Sequence, residues 1–258
     1  MSDNEITHAF GWQLDKGRIR DKNEDSLGAA KIKLVSEDTI RSVGLYMIAD
    51  GCGGLPEGEK ASRVAIQTAM QEMMSHINQA DNAEDIMTWL QQAAQMAHLT
   101  IQLQKKDEDS QGTTLVMASV IEDHIYVANI GDSRAYMIQD GRMRQITKDH
   151  TVAQSLADQG AIEQSDVDKS PFTHVLSLAV GLDKIESDVY QENTKVGDYL
   201  LLCSDGLHGF VDAEKILTII KEAKTPQIAS DNLANAANEV GGKDNIAVIV
   251  VEIKNRES

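Results

Sequence analysis

The chain has 258 residues, enough for one large domain with a substantial core. Its formal net charge of -17 argues against nucleic acid or an anionic membrane as partner, since both need a basic surface. No apolar stretch approaches a membrane span, the acidic start Met1-Ser2-Asp3-Asn4-Glu5 lacks a signal-peptide pattern, and Cys52 and Cys203 make no disulfide framework and read as reduced thiols of a cytoplasmic protein.

In chain order, short strands are expected around Asn23-Glu24-Asp25 and on to Asp50. Two helices follow. Ile66, Met70, Met73 and Ile77 recur at helical spacing in the first, and Ile86, Leu90, Ala93, Ala97 and Ile101 in the second. Strands are then predicted over Thr113 to Val120, His124 to Asn129, Ser133 to Ile138 and Arg142 to Ile146, with Asp140-Gly141 as a tight hairpin turn. A mostly polar segment from Asp149 to Ser170 carries helical stretches. The connection from Asp149 to Leu176 is too long for a simple loop. Strands return around Ser187 to Gln191 and Tyr199 to Cys203. Helices follow over Ala213 to Lys221 and Gln227 to Val240, and Ile246 to Ile253 is the closing strand. Strands in blocks with helices in pairs between them fit an α+β fold of antiparallel sheets covered by helices, not a doubly wound βαβ pattern.

Three aspartates sit at the ends of runs apolar on both faces, the mark of strands inside a packed sheet. Asp50 closes Gly44 to Ala49, Asp205 follows Tyr199 to Ser204, and Asp244 precedes Asn245 to Val251. If the ends converge, each pair of carboxylates about 5 Å apart repels by ~3 kcal/mol at an effective dielectric of 20. Protons or bound cations must relieve that, and hard oxygen ligands suit magnesium or manganese. Asp-Gly is also a turn dipeptide, so Asp50-Gly51 and Asp205-Gly206 carry both readings. Bare backbone in Gly51-Cys52-Gly53-Gly54 would let an ion approach a carbonyl. On a strand, Arg20 and Glu24 would face the same side, either as a surface ion pair or as an arginine receiving an anionic group beside metal-bound acids. Alone, Asp132 in Ile130-Gly131-Asp132-Ser133-Arg134 reads as a turn. Gly241-Gly242-Lys243-Asp244 fails as a phosphate loop, because no Ser or Thr follows the lysine. The seven histidines show no zinc-ligand spacing, and no Gly-x-Ser-x-Gly elbow is present. Cys203 lies in an apolar run, where packing outweighs a nucleophilic role. His174 reads as a surface side chain.

Seven stretches stand together in one order. They are Arg20 to Ser26, Ala49 to Gly54, Gly112-Thr113-Thr114, Ala128 to Arg134, Ile146 to Thr151, Ser204 to Leu207 and Gly242 to Asn245. In this the sequence resembles the metal-dependent Ser/Thr protein phosphatases of type 2C, in their compact bacterial form. The resemblance implies one domain over 1–258, with a core of about 11–251 and a flap of about 149–176. It implies an α-β-β-α sandwich of two antiparallel sheets flanked by helices, with two Mn2+ or Mg2+ ions at one rim. Asp50 matches the aspartate that bridges both ions, Gly51 the carbonyl ligand, and Asp205 and Asp244 ligands of one ion. Glu24 matches an acid that holds the other, largely through water. Asp25 matches a neighbour that orients metal-bound water, and Arg20 the arginine that receives the phosphate. Asp132, with Asp205, matches a third-metal site.

The activity so implied is hydrolysis of phosphoserine and phosphothreonine in proteins by a metal-activated water. Phosphoproteins are the implied partners, a Ser/Thr protein kinase among them, and a monomer is expected. The rival reading is a pseudophosphatase that binds phosphoproteins without cleaving them. Cys52 stands where many eukaryotic members have a histidine, and Leu55 where many bacterial members have one, which leaves the general acid open, metal-bound water being one candidate. Oxidation of Cys52 beside Gly51 is a further way the site could be disturbed.

Overall fold

The computed structural model describes residues 6–35, 37, 40–52, 57–77, 82–104, 112–183 and 185–255. Two five-stranded antiparallel sheets lie face to face. The first runs β1 (Ile6–Asp15), β10 (Ile246–Asn255), β9 (Tyr199–Cys203), β6 (Arg134–Gln139), β7 (Arg142–Gln145). The second runs β2 (Asp25–Val35), β3 (Ile40–Asp50), β4 (Leu115–Ile121), β5 (His124–Ile130), β8 (Asp188–Asn193). Helices α1 (Gly58–His76) and α2 (Ala83–Gln104) cover the second sheet, and α5 (Ala213–Glu222) and α6 (Pro226–Glu239) cover the first. The expected α-β-β-α sandwich is therefore what forms.

The doubly apolar strands follow from these layers. On β3, Tyr46 and Ile48 point into the gap between the sheets, while Val43, Leu45 and Met47 meet α1 and α2. On β10, Ala247, Ile249 and Val251 face the gap, and Ile246, Val248 and Val250 face α6. Each strand supplies two cores because its side chains alternate. The buried face of α1 is mainly Ala61, Ala65, Ala69 and Met73, so the helix lies close on the sheet, while Met70, placed on this face by its spacing, is only partly buried. Thr225 caps α6 by accepting from Ile228 N–H at 3.2 Å, with Pro226 in the first turn, and Asp212 caps α5 by accepting from Lys215 N–H at 2.8 Å. The Asp140-Gly141 turn has φ of 51° and 73°, the left-handed pair that a two-residue hairpin needs.

Two expectations change. The strands flanking Asn23-Glu24 are long, at 10 and 11 residues, and residues 16–24 form the loop between them. Arg20 and Glu24 therefore do not share a strand face. Asp205 is not merely in a turn: it opens the one-turn helix α4 (Asp205–His208). The long connection carries α3 (Val152–Asp158) and a 3-10 helix (Gln164–Lys169). Among the described residues, no helix is long and apolar enough to cross a membrane.

Leu202 lies fully buried between the sheets. Leu202→Ala should lower stability by about 2–5 kcal/mol, read as a lower urea midpoint with an unchanged slope. A midpoint equal to that of the parent would show that the gap is not a shared core.

Candidate metal centre

Strand pairing assembles the site. The β2–β3 register sets Asp25 opposite Asp50 at one end of the sandwich. Asp50 is held by Thr113 and Thr114. Its carbonyl accepts from Thr113 Oγ1 and Thr114 N–H, each at 2.8 Å, and its N–H donates to Thr114 Oγ1 at 2.9 Å. Asp25 N–H donates to Asn23 Oδ1 at 3.0 Å, and Ser204 Oγ donates to Asp25 Oδ2 at 2.7 Å. Ser204 also accepts from Ala247 N–H, so one hydroxyl ties Asp25 to β10 and to the start of α4, where Asp205 stands.

Asn245 fixes the loop over residues 16–24. Its Nδ2 donates to Lys16 O at 2.8 Å and Lys22 O at 2.9 Å, and its Oδ1 accepts from Glu24 N–H at 2.8 Å. Gly242 O accepts from the N–H groups of Arg18 and Ile19. Gly206 must stay bare, because a Cβ there would lie 1.8 Å from Asn245 O. A Cβ on Gly51 would lie 2.4 Å from Gly58 O, so the backbone at Gly51 is stripped by close packing of α1. Asp132 sits between β5 and β6. Gly131 N–H donates to His150 Nδ1 at 3.3 Å and Gly131 O accepts from His150 N–H at 2.9 Å, which joins this loop to the segment after β7. Arg134 grips that segment with a two-pronged pair to Asp149, at 2.6 Å from Nη2 to Oδ2.

Crowding of acids dominates the electrostatics. The carboxyls of Asp25 and Asp205 act on that of Asp50 by direct charge repulsion. Burial raises Asp50 well above the ordinary carboxylate range, and Asp25, Asp205, Asp132 and Asp244 push it further. Burial, with help from Asp205 and Asp244, raises Asp25 to about 7. Burial, then Asp205 and Asp149, raises Asp132 to about 8. Asp205 is also raised, by burial and then by Asp244. Such an array must hold protons or cations.

These residues open onto a cleft of about 570 Å³ lined by Arg20, Glu24, Asp50, Gly51, Cys52, Asp132, His174, Asp205 and Asp244, with Leu176, Leu182 and Phe210 on its apolar side. Asp25 lies just beneath, buried, with Oδ1 lacking any partner. Arg20 is the only Lys or Arg among the described lining residues. It pairs with Asp244, Nη2 to Oδ2 at 2.7 Å, and not with Glu24. The expectation for His174 also needs amending. It is exposed, yet its Nδ1 lies 3.9 Å from Asp205 Oδ2, and Asp132, His174 and Asp205 offer ligand atoms within 4.8 Å of one another. Burial pushes the Cys52 thiol up to about 12, so it is no reactive thiolate. Cys203 is fully buried, as its apolar run predicts. Gly53, Gly54 and Leu55 lie outside the described residues.

Sequence reasoning missed Asn245, Ser204 and Thr114 as site-building residues. Their only signal is adjacency to an acid or to a Gly-Thr-Thr triplet, since the groups they bind lie far away in the chain.

A model of the family described as protein phosphatase 2C matches residues 22–237. The chain is 35% identical over 245 residues to the serine/threonine phosphatase stp of Listeria innocua, covering 93% of this chain and 94% of that protein. Its fold matches the crystal structure of the Mycobacterium tuberculosis serine/threonine phosphatase PstP/Ppp with a TM-score of 0.81 at 30% identity, over 96% of this chain and 99% of the other. It also matches the PstP catalytic domain in complex with two manganese ions, with a TM-score of 0.78 at 29% identity, over 96% and 99%. With acids, glycines and threonines meeting at one rim of this sandwich, and a family model spanning most of its length, the chain belongs to the protein phosphatase 2C family.

Proposed function

We propose that Asp50, Gly51, Asp205, Asp244 and Glu24 hold two divalent ions, manganese or magnesium, and that Asp132 with Asp205 offers a third, weaker place. What supports this most directly is the gathering of Asp25, Asp50, Asp132, Asp205 and Asp244 at one rim, where Arg20 is the only Lys or Arg among the described residues that line the cleft. The donors suit such ions: carboxylate and carbonyl oxygens are hard ligands, and Asp25 Oδ1 is buried without a partner. The chain is a metal-dependent protein-serine/threonine phosphatase. Ions held there would supply an activated water as nucleophile and positive charge beside the phosphoryl oxygens.

The residues do the rest. Arg20 exchanges its Asp244 partner for the non-bridging oxygens of the substrate phosphate. Ser204 holds the Asp25 carboxyl where it orients the attacking water. The Cys52 and Cys203 thiols, both pushed up to about 12, stay protonated and provide no protein nucleophile. Residues 149–176 act as a flap over the cleft, anchored by Arg134 and carrying His174 and Leu176 to its edge. The whole of 1–258 works as one domain, as a cytoplasmic monomer on phosphoproteins, a Ser/Thr protein kinase among them.

Asp50→Asn and Asp205→Asn should each abolish manganese-dependent hydrolysis of p-nitrophenyl phosphate while leaving the circular dichroism spectrum unchanged. Near-normal turnover in both would reject the assignment, and inactivity of the parent protein with manganese would favour the pseudophosphatase. Arg20→Ala should cut kcat/KM for a phosphopeptide by roughly 10–100-fold, the worth of a charge-assisted hydrogen bond. An unchanged value would leave the phosphate to the ions alone.

The pH dependence of the metal-free protein has a definite sign. Asp25 at about 7 and Asp132 at about 8 keep their protons in the folded state where an unfolded aspartate, near 3.9, has lost its own. That stability is complete below pH ~4 and is lost as pH rises through 7 and 8. The Tm in EDTA should therefore fall between pH ~5 and ~8.5, less steeply in Asp132→Asn, and manganese should restore it. A Tm that rises over this range would mean that the carboxylates are not held protonated.

A further inference from the structure

The sandwich has a second cleft at the opposite end from the acids. Strands β1, β2, β3 and β10 all reach it, and there the two edge strands β1 and β2 part to leave about 340 Å³. Along β2 the residues facing the other sheet are Leu27 and Ala29, partly buried against the core, followed at the same two-residue period by Lys31 and Lys33. Lys31 and Lys33 are exposed at the open end of the strand, yet their two-residue period sets them on the face that apolar side chains take farther along it. Lys254 joins them from β10. Lys31 Nζ spans the gap, donating to Thr7 Oγ1 at 3.0 Å and to the carbonyl of His8. Among the described residues neither Lys31 nor Lys33 has a carboxylate partner within salt-bridge distance, and Lys254 has only Glu252, at 3.9 Å. The three amines feel one another: Lys33 and Lys254 add to burial in lowering Lys31.

Unused hydrogen-bonding capacity accompanies the charge. His8 and Ser42 line the same cleft. His8 is 2% exposed and its Nε2 has no partner, nor does the buried Oγ of Ser42. Buried polar atoms are seldom left so, and two of them beside three amines, in a chain of net charge -17, mark a place shaped for something negative. Inward-pointing lysines also guard sheet edges against pairing, but edge protection needs neither a cleft nor the unpartnered His8 and Ser42.

We propose that this cleft binds a small polyanion bearing adjacent phosphoryl groups, held by Lys31, Lys33 and Lys254 with Ser42 and His8 as neutral partners. Lysine suits compact, highly charged phosphoryl oxygens as a point charge. The site lies apart from the acid cleft, so its ligand is not the phosphatase substrate.

The test uses pyrophosphate and the full chain in EDTA, where the acid cleft holds no ions to attract phosphate. Isothermal titration should show binding of pyrophosphate, stronger than that of orthophosphate. In Lys31→Gln/Lys33→Gln it should be roughly a hundred-fold weaker, two charge-assisted hydrogen bonds having been removed. Manganese-dependent hydrolysis of p-nitrophenyl phosphate, measured on the same variant, should be unchanged, which confirms its fold. If loss of the Lys31 bridge unfolds that variant, Lys33→Gln alone should bind about ten-fold more weakly. No binding to the parent chain, or equal binding to a folded variant, overturns the proposal whatever the outcome for the catalytic cleft.

Discussion

Repulsion among buried carboxylates is the constraint around which this molecule is built. Asp25 and Asp50 face each other across a strand pair, and Asp205, at the start of α4, adds its charge to theirs. Left ionised and unscreened, such a group would push the rim apart. Two layers of strands with apolar side chains on both faces resist that push, because any movement of the rim would open the core between the sheets. The scaffold thus keeps donors at fixed separations and leaves protons or cations as the means of relief. Rigidity of this kind is what a pre-organised electrostatic site requires.

How far the molecule could be read in advance depended on the range of each interaction. Core strands announce themselves locally, so the ends of β3, β9 and β10 and their acids Asp50, Asp205 and Asp244 stood out. The hairpin at Asp140-Gly141 did too, because its backbone demand falls on two adjacent residues. Asn245 did not: it binds Lys16, Lys22 and Glu24, all more than 220 residues away, and nothing near Asn245 encodes that. Arg20 was placed on a strand beside Glu24, but the loop it occupies is shaped from the far end of the chain and turns it to Asp244. Nothing beside His174 in the sequence links it to an acid, so it reads as surface. Only the path of the 149–176 segment, secured by Arg134 and His150, brings it over Asp205.

The same two sheets carry opposite chemistry at their two ends. β2 begins at Asp25 and ends beyond Lys33, and β3 begins near Ser42 and ends at Asp50. Acids at one mouth and amines at the other give the sandwich an axial polarity that the summed charge of the chain conceals. Both ends leave buried polar atoms unpartnered, Asp25 Oδ1 at the acid rim and His8 Nε2 and Ser42 Oγ at the basic end, although Thr113, Thr114, Ser204 and Asn245 brace the acid rim.

Because β10 lies between β1 and β9, vectorial synthesis has a cost. The second sheet can pair fully once residue 193 has left the ribosome, but β1 finds no neighbour until the final described strand emerges. At ~5–20 residues per second, the nascent chain exposes an unzipped apolar layer for several seconds. This interval invites aggregation and calls for chaperone cover. The Glu24 loop is likewise fixed only late in synthesis, since Asn245 emerges just ahead of β10.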